Sequence, residues 1–279
     1  RLTREALKAL YNMNLVEEDK SKAGYYDVVG MSDATPPQGY VRDGRDRFEA
    51  TFRFLKKQAP GRRLLDVGSG MSAQLVQRAK AHGFIPTAFE LDTPLMRVAM
   101  RRLEERHGIK SVLADSLLEA GFPDASFDVV TLWEVFEHLP NQLEILREVH
   151  RILVPGGIVV LQLPFYTWLI AKVRILRLLN GGRIPTHREW PMISPIGMFG
   201  PEMHLYNYTH KTVRNLLAWS GLELVKFQVD RNYFIGSYPK LVIQDAFYYL
   251  SLIVSFLTRG RLTANVFLLP YGRKPRTGG

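Results

Sequence analysis

Between residues 61 and 164 the chain alternates short apolar runs with segments of helical periodicity, and no other feature narrows its fold so far. Apolar runs at 63–67, 85–90, 111–114, 127–133 and 158–163 read as strands, and the spacing predicts helices over 72–82, 94–107 and 142–153. In the second helix Leu95, Val98, Ala99 and Leu103 form the expected inner stripe, with Arg97, Arg101 and Arg102 outward. The third is expected to stop at Pro155-Gly156-Gly157. The run Phe127-Asp-Val-Val-Thr-Leu-Trp133 is nearly continuous, as suits a strand buried on both faces. Strands alternating with helices of roughly 10–15 residues imply right-handed crossovers and a parallel sheet. A helix over 46–58 leads into this region, and a further one is read over 4–14. Beyond it, 209–220 reads as a helix with Thr209 at its cap and Gly221 at its end, and 222–230 and 263–271 read as strands.

The first strand runs into Leu64-Leu65-Asp66-Val67-Gly68-Ser69-Gly70-Met71-Ser72. A strand that breaks at glycines into a helix start brings bare backbone N–H groups close to a ligand. Ser72 is the expected cap of that helix. Asp66 sets a negative charge at the strand end, where phosphate is poorly tolerated and an ammonium or other cation is welcome. Gly68 to Ala73 also fits the dinucleotide pattern G-x-G-x-x-[GA]. Two further acids pull away from a nicotinamide enzyme: Glu90 ends the second strand and Asp115 the third. A ligand met by three strand-end acids should lack phosphates and carry positive charge.

Taken in order, these residues resemble the class I S-adenosylmethionine-dependent methyltransferases, closely over 61–165 and more loosely over 200–272. Asp66-Val-Gly68-Ser69-Gly70 resembles the family's first motif, whose backbone holds the methionine end of the cofactor; Ser72 stands where a third glycine is usual. Glu90 matches the acid that binds the ribose, and Leu91 the apolar neighbour that packs on adenine. Asp115 and Ser116 match the pair at the adenine amino group. Phe122-Pro-Asp124-Ala-Ser-Phe127-Asp128 resembles the approach to the fourth strand, and Trp133-Glu134 sits where the chain passes the methionine part. His150-Arg-Ile-Leu-Val-Pro155-Gly156-Gly157 resembles the turn before strand five. The resemblance implies S-adenosyl-L-methionine as cofactor. It also implies a doubly wound, Rossmann-like α/β fold: a seven-stranded, mostly parallel sheet with an antiparallel last strand. A helical N-terminal cap is expected over 1–60 and a methyltransferase domain over 61–279, with apolar helical insertions at 166–203 and 238–260.

A sulfonium methyl is already activated, so positioning and desolvation dominate, and an oxygen nucleophile also takes a base. Glu134-Val-Phe-Glu137-His138 follows the fourth strand, at the carboxyl edge where open sheets place ligands. It is similar to the Glu-x-x-Glu-His run of the ubiquinone-biosynthesis O-methyltransferases, tied there to a divalent metal. The alternatives are His138 as the base, or a helix-start feature with Glu137 as cap. His204, in Pro201-Glu-Met-His204-Leu-Tyr206, is the second candidate base, with a structural histidine as its alternative. Arg45 or Arg47 could close over the cofactor carboxylate, or be solvated arginines at a helix start. No metal ligand is assigned.

A net charge of +10 and a pI near 9.8 point to acidic partners or to mere solubility. The absence of cysteine excludes disulfides, thiolate metal sites and the thiol nucleophile of C5-pyrimidine chemistry. Trp133-Glu134-Val135 also stands where a nucleic-acid enzyme would carry Asn/Asp-Pro-Pro-aromatic, so nucleic acid is set aside as a partner. The insertions say more. Residues 166–179 form an apolar helical pattern in which Lys172, Arg174 and Arg177 can snorkel. Over 239–257, Lys240, Gln244, Tyr248, Ser251 and Ser255 make a narrow polar stripe on an otherwise apolar helix. Such a helix is buried in protein, paired in a homodimer, or laid in a membrane interface. No run reaches the roughly 18–20 apolar residues that span a bilayer, and no signal-peptide pattern is present. The expectation is O-methylation of an amphipathic small molecule, a lipid or a lipid-linked glycan. The place expected is cytoplasmic, either free or peripheral on the inner face of a membrane. The rivals are a soluble small-metabolite enzyme, a nucleic-acid methyltransferase and a non-catalytic cofactor-binding protein.

Overall fold

The computed structural model describes residues 41–42, 45–46, 48–165, 206, 208–230, 238–258 and 267–276. The helix read at 4–14, the insertion at 166–203, Arg47 and His204 lie outside the described residues. The centre is a seven-stranded sheet of β1 (Arg63–Val67), β2 (Ile85–Leu91), β3 (Lys110–Ala114), β4 (Phe127–Trp133), β5 (Leu153–Pro164), β6 (Glu223–Val229) and β7 (Phe267–Arg273). Their spatial order is 3-2-1-4-5-7-6. β7 runs antiparallel to both β5 and β6, and every other neighbouring pair is parallel. The expected mostly parallel, doubly wound sheet with an antiparallel last strand is therefore the fold. The order reverses between β1 and β4, which opens a crevice at their carboxyl ends.

β4 is buried at every position, which is why its sequence is almost unbroken in apolar residues. Helix α1 (Glu49–Gln58), with Phe48 before it, packs Phe48, Phe52 and Leu55 against Leu64, Trp133 and Tyr271 on one face of the sheet. It shares that core, so the chain next to residue 60 is continuous with the sheet. After α2 (Gln74–Ala81) and α3 (Pro94–His107), α4 (Gln142–Ile152) covers the opposite face, setting Leu146 and Val149 among Leu65, Val130 and Leu161. α5 (His210–Trp219) starts in a capping box, with Thr209 Oγ1 accepting from the Thr212 N–H at 3.2 Å.

Four local readings are corrected. α2 starts at Gln74 after Ala73 at φ +44°, and no side chain caps it; Ser72 instead offers its carbonyl to Gln77 Nε2 at 2.9 Å. α3 has the bounds expected, with Thr93 as cap and Pro94 in the first turn, but it buries Met96, Ala99, Met100 and Leu103 and leaves Val98 exposed. β5 begins at Leu153, and Pro155-Gly156-Gly157 is a bulge within it that shifts the register against β4. Gly156, at φ +81°, donates its N–H to Lys274 O, and the Lys274 N–H returns to Gly157 O, both at 2.9 Å. The last strand, described over Phe267–Arg273, runs two residues past the end expected for it, and the expected residues 263–266 lie outside the described residues.

α6 (Tyr238–Leu257) fills most of the second insertion. Ser251 is fully buried and Tyr248 packs half-buried against the main core. Leu250, Leu252, Ile253, Phe256 (83% exposed) and Leu257 (73% exposed) face outward. At Tyr248 and Ser251 the polar stripe thus turns to the protein and the apolar arc turns away from it, the reverse of an ordinary surface helix. Among the described residues no helix is long and apolar enough to cross a membrane.

Candidate functional site

β1 carries Asp66 to the carboxyl edge, where its Oδ1 accepts from Thr131 Oγ1 on β4 at 2.6 Å. Asp66 is 2% exposed, and burial pushes its carboxyl up to about 7; the Thr131 hydrogen bond opposes that shift and the charge of Glu90 adds to it. Gly68 and Gly70 then turn the chain at φ +75° and +68°. The Gly68 and Ser69 N–H groups both donate to Phe89 O, at 2.9 and 3.3 Å. The Gly70 N–H donates to Glu90 Oε1 at 2.6 Å, and the Leu91 N–H to Glu90 Oε2 at 3.1 Å. The glycine turn is therefore stapled to the end of β2. A Cβ on Gly68 would lie 2.5 Å from Val135 Cγ2, so packing as well as φ demands glycine there. A Cβ on Gly70 would meet nothing within 4 Å, so the turn is open on that side.

These residues fit the S-adenosylmethionine that the resemblance implies. Burial raises the Glu90 pKa in spite of its two backbone donors. Each of its oxygens keeps a second acceptor position, which suits a vicinal diol such as a ribose. Asp115 and Ser116 follow β3, both half-buried. Ser116 Oγ is buried and has no hydrogen-bond partner among the described residues. A ligand amine or ring nitrogen at the end of β3 would supply one. Ser69, by contrast, spends its hydroxyl internally, on Asp66 O at 3.1 Å.

At the end of β4, Trp133 packs edge-on against Phe48 with ring centroids 5.0 Å apart. Glu134 holds a left-handed φ of +55° with its side chain exposed, an uncommon backbone for glutamate and one found often at functional corners. A 3₁₀ turn, Phe136–His138, follows, with Glu137 buried and His138 half-buried. Glu137 does not cap α4: the cap position is Asn141 at φ +57°, with no side-chain hydrogen bond. Among the described residues no three His, Asp or Glu side chains come together to hold a metal. Arg45 lies in a two-residue bridge, Val41–Arg42 with Arg45–Asp46. The structure thus brings Asp66, Gly68, Ser69, Gly70, Glu90, Leu91, Asp115, Ser116, Trp133, Glu134 and His138 to the carboxyl ends of β1 to β4.

The sequence reading passed over four polar groups at or near this edge. Thr131 holds Asp66 from the middle of an apolar strand. Gln142 donates from Nε2 to Phe136 O at 2.6 Å and to the Tyr208 hydroxyl. Gln162, the register partner of Trp133, donates from Nε2 to Asp230 Oδ2 at 3.3 Å. The signal available for Thr131 and Gln162 was a polar residue inside a strand too apolar to face water. Asp128 is polar in the same way but serves the opposite edge, accepting the Arg63 N–H at 2.9 Å and Arg63 Nε at 3.0 Å.

A family model described as a methyltransferase domain matches residues 40–226. The chain is 31% identical over 117 residues to 27-O-demethylrifamycin SV methyltransferase of Amycolatopsis mediterranei, a match covering 39% of this chain and 43% of that one. It is 31% identical over 103 residues to demethylmenaquinone methyltransferase of Lysinibacillus sphaericus, covering 36% and 44%. The chain thus spans less than half the length of these relatives. Its fold superposes with a TM-score of 0.52 on a crystal structure of magnesium protoporphyrin IX methyltransferase from Synechocystis with bound SAH, at 12% identity, covering 95% of this chain and 100% of that one.

Proposed function

The chain belongs to the methyltransferase domain family in its class I, S-adenosylmethionine-dependent form, and on that footing we propose that it methylates an oxygen of an amphipathic small molecule at a membrane surface. The observation that carries the reading is the set of groups at the strand ends: an open glycine turn stapled to Glu90, with Asp66 buried beside it. When bound, the cofactor supplies a methyl group activated by its sulfonium centre. The residues do the rest. Glu90 and Ser116 offer the diol and base contacts of the nucleoside end, and Asp66 sets negative charge where the ammonium end belongs. Trp133 and Phe48 wall the methionine end and keep water out. His138 is the candidate base at that edge, and His204, outside the described residues, is the second candidate.

The amphipathic acceptor is supported by the outward apolar arc of α6 and by the basic surplus of the chain. It is supported also by the relatives, one named for a demethylmenaquinone and one for a 27-O-demethylated rifamycin. The test is transfer of labelled methyl from S-adenosylmethionine into a total lipid and metabolite extract, with mass spectrometry of the product. Label in one organic-soluble, alkali-stable species is the expected result. Label confined to nucleic acid or to water-soluble metabolites overturns the amphipathic acceptor, and absence of label overturns the activity.

A further inference from the structure

Gln162 is the one polar side chain in the run Ile-Val-Val-Leu-Gln162-Leu, and it is fully buried. Its Nε2 reaches across the sheet to Asp230 Oδ2 at 3.3 Å, and Asp230 is itself 1% exposed. The carboxylate only accepts, so the amide must present its nitrogen to Asp230 and its oxygen away from it. That oxygen is buried and has no hydrogen-bond partner among the described residues. Buried acceptors in folded proteins are nearly always paired, which marks this one as waiting for a donor.

The register says where the donor would sit. Gln162 pairs with Trp133, and Leu132 pairs with Val67, the residue before the Gly68 turn. Gln162 therefore stands two strands from that turn, about 10 Å at the usual strand spacing. Asp230 follows β6 at the same carboxyl edge. The pair lies next to the methionine end of the cofactor site, on the side away from β2 and β3 where the adenosine contacts are.

We propose that the Gln162 amide oxygen, oriented by the hydrogen bond from its Nε2 to Asp230, is the subsite that takes the hydroxyl hydrogen of the methyl acceptor, and that this contact separates acceptor from product. The inference rests on the methyltransferase reading. A hydroxyl brings the donor that the Gln162 amide oxygen lacks, and while donating it keeps its oxygen lone pairs free to face the methyl group. The ether made from it has no hydrogen to give, so methylation itself removes the contact.

The test uses 4-butylphenol and 4-butylanisole, which differ only in that methyl, titrated by ligand-observed NMR into the full chain saturated with S-adenosylhomocysteine. The phenol should bind the wild type about ten-fold tighter than the ether, the ratio expected of one hydrogen bond to a charged or buried acceptor. Asp230→Asn and Gln162→Leu should each bring the ratio to within about two-fold while S-adenosylhomocysteine affinity, measured by calorimetry, stays at the wild-type value. Equal binding of the two probes to the wild type, no phenol binding, or a preference that survives both substitutions overturns the subsite. Failure of the wild type to bind S-adenosylhomocysteine is a separate outcome: it overturns the methyltransferase reading and removes the premise of the subsite with it.

Discussion

Burial holds the Asp66 carboxyl near a pKa of about 7, so its charge is decided within the working range of most enzymes. A ligand carrying an ammonium group selects the ionised form. Ionisation rises from roughly one molecule in ten at pH 6 to nine in ten at pH 8, and apparent affinity follows the competent fraction. S-adenosylhomocysteine should therefore bind about ten-fold tighter at pH 8 than at pH 6 by calorimetry, and Asp66→Asn should bind weakly and with no such slope. Stability of the unliganded protein runs the other way. The folded pKa lies above the unfolded one, so between about pH 4 and pH 7 the folded state keeps a proton that the unfolded chain releases, and stability from this group falls as pH rises, levelling off above 7. Two glycines of the same turn separate two kinds of constraint. Gly70→Ala should cost about 1–2 kcal/mol in denaturant unfolding, for its φ alone. Gly68→Ala should cost more, because its Cβ would meet Val135 as well, and Val135→Ala in the same chain should recover part of the excess but not the φ contribution, since the remaining Cβ of residue 135 would still lie 2.9 Å away.

The elements that were legible in the sequence are those whose burial is written as a simple pattern. β4 is covered on both faces and has no room for alternation, so its seven residues match the reading at both ends. α3 was placed by Pro94 and by its arginines, and Ala99 and Leu103 are buried as expected, yet the other two inner positions are Met96 and Met100 in place of Leu95 and Val98. Methionine fills a core as well as leucine or valine. β5 was read too short because Pro-Gly-Gly ordinarily ends a strand; here backbone bonds from Lys274 carry the strand through it. α6 was legible as an apolar helix with a polar stripe, but which side met the protein depended on the sheet beneath. Its outward arc carries a prediction. The protein should co-float with anionic liposomes at low salt, and Phe256→Ser with Leu257→Ser should reduce that while changing unfolding free energy by no more than about 0.5 kcal/mol, since both side chains are already exposed. A wild type that stays with the unbound fraction would refute the membrane contact.

For the molecule as a whole, the donor half of the site could be read because its groups lie at the ends of consecutive strands, each a short step along the chain from the next. Asp66, Glu90 and Asp115 fall into place once the strands are counted. The acceptor half could not. Gln162 and Asp230 are 68 positions apart, and they meet only because β7 enters between β5 and β6 and sets the spacing of the two strands.

That late strand also dictates a schedule. β7 supplies the partner for both of its neighbours, and Tyr271 on it reaches back to Thr51 on α1, hydroxyl to hydroxyl at 2.9 Å, across 220 positions of chain. As the polypeptide is synthesised, β1 to β5 can assemble early, but β6 has no strand to lie against, and the α1 face no Tyr271, until the segment ending at Arg273 has left the ribosome. Sheet completion is then a long-range closure of the kind that sets slow folding rates, and until it occurs the outer edge of β5 is an open strand.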